Sequence, residues 1–229
     1  MPGDAIAIRS SDGGAFDCYI ATPPAAARVP AVVLASTIHG VDEDLRAIAD
    51  EFAAHGFIAA APHLFWRAPA VASSRVDRLR IGERDMSDTL AHLRTIAAFN
   101  GRAAAMGFCY GGPYSILGPK RLGYAAGISC HGTQMLDYLD ELGGMREPVC
   151  VMWGDRDYLA PAEVLDAYRS VPERMSNVEV HIFPGVLHGY MMRRNPHAFD
   201  STARDFSMAR ALAILDDLYA ERQERSGVG

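Results

Sequence analysis

One cysteine in the chain lies in a glycine pattern that could place a reactive thiol on a sharp turn. Cys109 follows the apolar run 103–106 and stands between Gly107 and Gly111, in the pattern G-x-C-x-G. A strand that turns into a helix over one residue strains that residue and needs small neighbours two positions away. The N-terminus of the following helix would favour the thiolate over the thiol. The pattern predicts a nucleophile elbow, although a structural cysteine in a glycine-rich turn fits these five residues as well.

Two later segments carry the groups that such a nucleophile needs. Asp155 and Asp157 follow the apolar run 149–153, and His188 follows the run 178–183. Parallel strands would bring the three loops to one edge of a sheet, where open α/β sheets bind ligands. The order nucleophile, acid, histidine is that of α/β-hydrolases. We favour Asp157 as the acid, because Asp155 lies closer to the strand and could instead stabilise the turn.

Eight short apolar runs predict the strands that would position these loops. From the third run onward they are nearly continuous, which is typical of strands covered on both faces. The runs span residues 5–8, 16–20, 31–35, 57–61, 103–106, 124–129, 149–153 and 178–183. We therefore expect an α/β fold, with a mostly parallel central sheet of about eight strands and helices on both faces.

Helical periodicity fills several of the intervals between these runs. The predicted helices lie near residues 42–56, with Asp42 and Gly56 as caps, and near 85–99, 161–168 and 201–223. The inward stripe expected on the last helix is Phe206, Ala209, Leu212, Leu215 and Tyr219. The less regular stretch 62–84 carries five arginines. We interpret it as a solvated surface segment, with a rim over an active site as the alternative.

The composition limits the class of protein. A chain of 229 residues with 49% hydrophobic and 22% charged residues fits a single globular domain over 1–229. The net charge of −6 argues against nucleic acid as a partner. The chain has neither an apolar run of ~20 residues nor the features of a signal peptide at its start, so we expect no membrane association and a cytoplasmic protein. The spacing of the four cysteines predicts neither a metal site nor a disulfide framework.

From residue 31 to about residue 218, the chain resembles the dienelactone hydrolase (carboxymethylenebutenolidase) family of α/β-hydrolases. The most specific part is the segment 107–112, because cysteine is uncommon at the elbow in this superfamily. The supporting segments are 36–41, 62–67, 154–161 and 185–190. The resemblance implies a triad of Cys109, Asp157 and His188. It also implies an oxyanion hole formed by the backbone N–H groups of Ile38 and Tyr110, which is the arrangement that stabilises a tetrahedral intermediate.

The same resemblance implies residues that would bind the substrate. Arg67 matches a family arginine that binds a carboxylate, and Arg193 lies one residue beyond a second expected arginine, where this chain has Met192. Thr37 stands where the family has a glutamate that takes part in activating the cysteine, and His39 replaces an aromatic or apolar residue. The substrate-binding candidates are Thr37, His39, Trp66, Arg67, Tyr190 and Arg193.

The sequence thus predicts a cysteine-dependent hydrolase that cleaves a lactone or a small carboxylate-bearing ester through a thioester, without a metal or cofactor. A general carboxylesterase or thioesterase on the same fold is the first alternative, favoured by Thr37 and Met192. A thiol-based sensor or binding protein that does not turn over is the second. We expect a small-molecule substrate as the partner and a monomer or small homo-oligomer. His55, His92 and His181 are expected to be structural.

Overall fold

A computed structural model describes residues 2–24, 27–67 and 75–226 and contains one sheet of eight strands in the order β1-β2-β4-β3-β5-β6-β7-β8. Pairs β1–β2 and β2–β4 are antiparallel, and the remaining pairs are parallel. The strands are β1 Asp4–Arg9, β2 Ala15–Ala21, β3 Val29–Ala35, β4 Ile58–Pro62, β5 Phe99–Phe108, β6 Ala126–Cys130, β7 Val149–Gly154 and β8 Val178–Phe183. All eight predicted strands are present. This single sheet supports one domain over 1–229, which stays a prediction.

Helices cover both faces of the sheet, as expected. They are α1 Glu43–Ala54, α2 Arg75–Leu93, α3 Tyr114–Arg121, α4 Ala162–Arg169 and α5 Ser201–Ser226, with 3₁₀ helices at Cys109–Gly111 and Met135–Leu142. The central strand β3 shows the division between the faces: Val32 and Leu34 pack in the core with α1 and α5, whereas Val33 packs in the core with α2 and α3. Alternate residues of a strand point to opposite faces, so a strand that is apolar at every position is covered on both.

The caps predicted for α1 are confirmed, whereas the predicted bounds of α2 are wrong. Asp42 Oδ1 accepts a hydrogen bond of 2.9 Å from the amide of Leu45, and Gly56 has a φ of 95°. Helix α2 begins at residue 75 rather than 85 and ends at 93. Phe99 pairs with Val29 in the sheet, so the apolar residues read as the last helical turn belong to a tight turn and to β5. Of the arginine-rich stretch 62–84, residues 68–74 lie outside the described part.

The inward stripe predicted for α5 is confirmed at Leu212 and Leu215 and wrong at its other positions. Phe206 and Tyr219 are exposed and lie at the margins of the helix, against Phe183 and Phe57 respectively. The buried stripe consists of Ala203, Ser207, Met208, Ala211, Ile214, Leu215 and Leu218. Small residues on this stripe let α5 approach the sheet closely, and aromatic rings would hold it away. None of the described helices is long and apolar enough to span a membrane.

Candidate active site

Cys109 lies on the strained turn that the glycine pattern predicts. It directly follows β5 and has a φ of 49°, a left-handed conformation that is uncommon for a residue with a side chain. A Cβ atom on Gly107 would lie 2.1 Å from the carbonyl oxygen of Gly111, and one on Gly111 would lie 2.4 Å from that of Ala35. Both positions therefore require glycine. Cys109 begins a 3₁₀ turn, which residues 112 and 113 separate from α3.

The loop after β6 holds this turn in place. The backbone amide and the hydroxyl of Thr133 both donate to the carbonyl oxygen of Cys109, at 2.9 and 3.2 Å. The amide of Gly112 donates to the same oxygen at 3.0 Å. Three donors on one carbonyl fix the backbone of Cys109, and its side chain remains partly exposed.

Asp157 is bonded to His188. The imidazole Nδ1 lies 2.9 and 2.8 Å from the two carboxylate oxygens of Asp157, whose side chain is fully buried. Asp155 is exposed, and its Oδ1 accepts a hydrogen bond of 2.7 Å from the amide of Gly185, which ties the loop after β7 to the loop after β8. The two carboxylates thus occupy the places expected of an orienting acid and of a turn-stabilising residue.

The imidazole of His188 also interacts with the thiol of Cys109. Burial lowers the pKa of His188, but the hydrogen bonds that the imidazole makes to Asp157 and Cys109, together with the charges of both groups, outweigh it and raise this pKa to about 9. An imidazole with that pKa is protonated at neutral pH, next to a sulfur that it can stabilise as a thiolate. Asp157, His188 and Cys109 therefore form a connected chain of ionisable groups.

His131 is part of the site although no sequence signal pointed to it. It follows β6, has a φ of 42° and is fully buried, with its ring 4.9 Å from the ring of His188 and 5.3 Å from that of Tyr190. Neither ring nitrogen has a hydrogen-bond partner among the described residues. Burial and the neighbouring charge of His188 hold the pKa of His131 well below its usual range. Of these two histidines, His188 therefore carries the positive charge, and His131 is neutral.

A cavity of about 580 Å³ opens above the thiol at the carboxyl edge of the sheet. This volume is typical of small-molecule sites. Its described lining is Thr37, Ile38, His39, Asp42, Asp44, Cys109, His131, Tyr158, Leu159, Leu187, His188, Gly189, Met192, Arg194, Asn195, His197 and Ala198. Ile38 is exposed, and Tyr110 occupies the position after the nucleophile in the 3₁₀ turn. The hydroxyl of Thr37 accepts from the amide of His39 at 3.1 Å, so it supports the β3 loop.

Comparisons with known proteins agree with this geometry. The profile of the dienelactone hydrolase family matches residues 16–218. The chain belongs to the dienelactone hydrolase family. It is 26% identical to carboxymethylenebutenolidase 1 of Cupriavidus pinatubonensis (94% of this chain, 97% of that protein) and 25% identical to a putative carboxymethylenebutenolidase of Azospirillum brasilense (92% and 96%). The predicted family and its hydrolase class are therefore confirmed.

Two solved structures share the fold. A putative dienelactone hydrolase from Klebsiella pneumoniae has a TM-score of 0.78 at 19% identity, with 93% of this chain and 98% of that chain covered. A dienelactone hydrolase-like promiscuous phosphotriesterase from metagenomic libraries has a TM-score of 0.79 at 20% identity, with 95% and 99% covered. The predicted α/β-hydrolase fold is confirmed.

Within this family member, two predicted substrate-binding residues, Trp66 and Arg67, lie away from the cavity. The guanidinium of Arg67 lies 2.7 Å from Asp12 and 3.1 Å from Asp85 and stacks over the indole of Trp66 at 4.1 Å. The indole Nε1 of Trp66 donates to Asp85 at 3.0 Å, and its ring packs on Phe16. Both side chains bind the buried carboxylate of Asp85, which lies between β1, β2 and α2. The structure therefore gives no support to their contact with substrate.

The other predicted binding residues divide between the cavity and the rest of the chain. Thr37 and His39 line the cavity. Tyr190 is fully buried, with its hydroxyl 2.9 Å from that of Ser207, so it packs in the core and does not line the cavity. Arg193 is exposed and does not line the cavity, and the next residue, Arg194, does.

One cluster of possible metal ligands occurs among the described residues, outside the cavity. It consists of Cys150, Glu179 and His181 on β7 and β8. Glu179 accepts a hydrogen bond of 2.6 Å from the Nε of Arg210. A guanidinium already neutralises this carboxylate, which disfavours a cation at the same place.

Proposed function

We propose that this member of the dienelactone hydrolase family cleaves a lactone or small ester through a thioester on Cys109. The observation that carries the proposal is the connected chain from buried Asp157 through His188 to a thiol on a strained turn at the floor of a cavity. A nucleophile, a base within reach of it, and a group that orients the base are the parts that covalent acyl transfer needs.

The order of steps follows from these positions. The thiolate of Cys109 attacks the ester carbonyl, and the backbone N–H groups of Ile38 and Tyr110 are proposed to hold the resulting oxyanion. His188 gives its proton to the leaving alkoxide as the carbon–oxygen bond breaks, which leaves a thioester and a neutral imidazole. The imidazole then takes a proton from water, and the hydroxide attacks the thioester. Release of the acid returns the thiolate and the imidazolium, with Asp157 bonded to Nδ1 throughout.

Replacement of Cys109 tests the nucleophile. Cys109→Ala should abolish hydrolysis of p-nitrophenyl acetate, whereas Cys18→Ala, at a buried thiol in β2, should leave it near the wild-type rate. Rapid quench of the wild type followed by mass spectrometry should show one acyl group on Cys109. Turnover by the alanine variant at the wild-type rate, or an acyl group found on another residue, would exclude the proposed mechanism.

Selective alkylation separates an enzyme from a thiol sensor. Burial raises the pKa of the thiols of Cys18, Cys130 and Cys150, so iodoacetamide at neutral pH should modify Cys109 first. Loss of esterase activity in step with this modification is expected of the enzyme. Modification of Cys109 in a protein without any turnover over a panel of lactones and esters would favour the sensor.

A general carboxylesterase is the second candidate, and one observation favours it. Arg67, the arginine expected to bind a substrate carboxylate, is paired with Asp12 and Asp85 instead. A preference for neutral p-nitrophenyl esters over carboxylate-bearing lactones, measured as kcat/KM, would select this candidate. We further propose that the protein works in the cytoplasm, which its four free cysteines support. The predicted monomer or small homo-oligomer stays a prediction.

A further inference from the structure

The mouth of the cavity concentrates the exposed apolar side chains of the described residues. Ile38, Tyr158, Leu159 and Leu187 are exposed by 65%, 77%, 40% and 39%, and all four line the cavity. The other two exposed large hydrophobic residues, on α5, lie outside the cavity. Scattered apolar residues need no explanation, but a cluster around a cavity indicates a surface that binds something apolar.

This apolar mouth is built from three loops, two of which also carry Asp157 and His188. Ile38 follows β3, Tyr158 and Leu159 follow β7, and Leu187 follows β8, directly before His188. The ring of Tyr158 lies 5.7 Å from that of His188. A group that extends from an ester bound at the thiol toward this mouth would contact these side chains.

The start of α1 forms a wall of the cavity with an excess of negative charge. Asp42 and Asp44 both line it. The single described arginine in the lining, Arg194, is paired with Glu43, and its backbone amide donates to Asp44 Oδ2 at 3.1 Å. Glu43 thus neutralises the guanidinium, and the carboxylates of Asp42 and Asp44 remain in the lining as two further negative charges.

From the apolar mouth and this acidic wall, we infer that the site selects neutral esters or lactones with an extended apolar portion and rejects those that carry a carboxylate. The inference rests on the proposed function and names the substrate class of that site. An apolar chain would lose water-exposed surface against the mouth. A carboxylate would meet like charges at the wall without a free cation there, and such juxtaposition is a common means of discrimination.

An isosteric pair of substrates tests the inference. The p-nitrophenyl ester of pentanoic acid and the mono-p-nitrophenyl ester of glutaric acid differ only in a terminal methyl or carboxylate. We expect kcat/KM to be at least about tenfold higher for the pentanoate. Between acetate and pentanoate, kcat/KM should rise by about two- to fourfold for each added methylene. Leu159→Ser should flatten this rise.

A charge-neutral replacement on the wall supplies the second measurement. Asp44→Asn keeps an acceptor for the amide of Arg194 and should lower the ratio of kcat/KM for pentanoate over glutarate several-fold. Asp166→Asn, which removes the same charge from an exposed position on α4, should leave that ratio unchanged. Equal or faster cleavage of the glutarate by the wild type would overturn the inference while leaving the thioester mechanism intact. Turnover of neither ester, or turnover that persists in Cys109→Ala, would overturn the mechanism and the inference together.

Discussion

The bond between Asp157 and His188 gives the sharpest prediction, because Asp157→Asn replaces one side-chain oxygen and removes the negative charge. The substitution keeps the shape of a fully buried side chain, and the carbonyl of asparagine can still accept from the amide of Leu159, as Oδ1 of Asp157 does at 2.8 Å. It removes the negative charge that faces Nδ1 of His188 at 2.8 Å. An amide that turns its NH₂ toward Nδ1 would also favour the wrong tautomer of the imidazole.

The magnitude follows from the pKa of His188. This pKa is about 9, against an ordinary value of 6.5, and the hydrogen bond to Asp157 raises it most. If the substitution returned the pKa to its ordinary value, the change would be worth roughly 3 kcal/mol. At pH 7, about a hundredfold excess of imidazolium would become roughly a threefold excess of neutral imidazole. We therefore expect kcat/KM for a p-nitrophenyl ester to fall by about 10²–10⁴, the usual contribution of general acid–base catalysis.

Two assays and one matched variant check this prediction. Initial rates with p-nitrophenyl pentanoate give kcat/KM, and the pH dependence of alkylation by iodoacetamide reports the thiolate of Cys109. In Asp157→Asn, alkylation should require a higher pH than in the wild type. Asp155→Asn should change both measurements little, since that exposed carboxylate bonds only the amide of Gly185 among the described residues. A larger loss in Asp155→Asn, or an unchanged alkylation profile in Asp157→Asn, would refute the assignment.

Three further predictions concern stability. Arg67→Ala should lower the free energy of unfolding by about 3 kcal/mol, because it removes the cation beside the buried carboxylate of Asp85, and should leave turnover of neutral esters unimpaired. Arg84→Ala, at an exposed pair, should change the free energy of unfolding little in the same urea titration. His131→Phe should lower kcat/KM but raise Tm by about 2–6 °C, because it removes two buried nitrogens that have no hydrogen-bond partner among the described residues. A lower Tm would contradict the expected gain in stability. The raised pKa of His188 stabilises the fold fully below pH 6.5, and this contribution is lost as the pH rises through about 9. The free energy of unfolding of the wild type should therefore fall between these pH values, and that of His188→Gln should fall less.

The strands and the nucleophile turn could be predicted from the sequence because local physics determines both. A strand covered on both faces must be apolar at every position, and the runs at 31–35 and 149–153 meet that condition. The turn at Cys109 admits only glycine at positions 107 and 111, where a Cβ atom would overlap the backbone. Such requirements restrict the residue types at particular positions and can be recognised in a single sequence.

The positions of long polar side chains could not be predicted in this way. Arg67 extends from a loop, and its direction depends on Asp85, which a helix 18 residues later brings into reach. Tyr190 lies two residues from His188, yet its ring turns into the core because Ser207 of α5 offers its hydroxyl a partner there. The exposure of Phe206 likewise depends on how closely α5 approaches the sheet. These outcomes are set by tertiary contacts that no short pattern encodes.

His131 shows that the candidate site depends on a second turn beside the one that carries the motif. Phe108 and Cys130 are paired in register at the ends of β5 and β6, and the residue after each one has a positive φ. Such strain persists only where surrounding bonds over-determine it. The amide of His131 donates to the carbonyl of Met152 at 2.8 Å, and the indole of Trp153 donates to that of Gly132 at 2.8 Å. Because the loop after β6 also binds the carbonyl of Cys109, a change that relaxes His131 should displace the thiol as well.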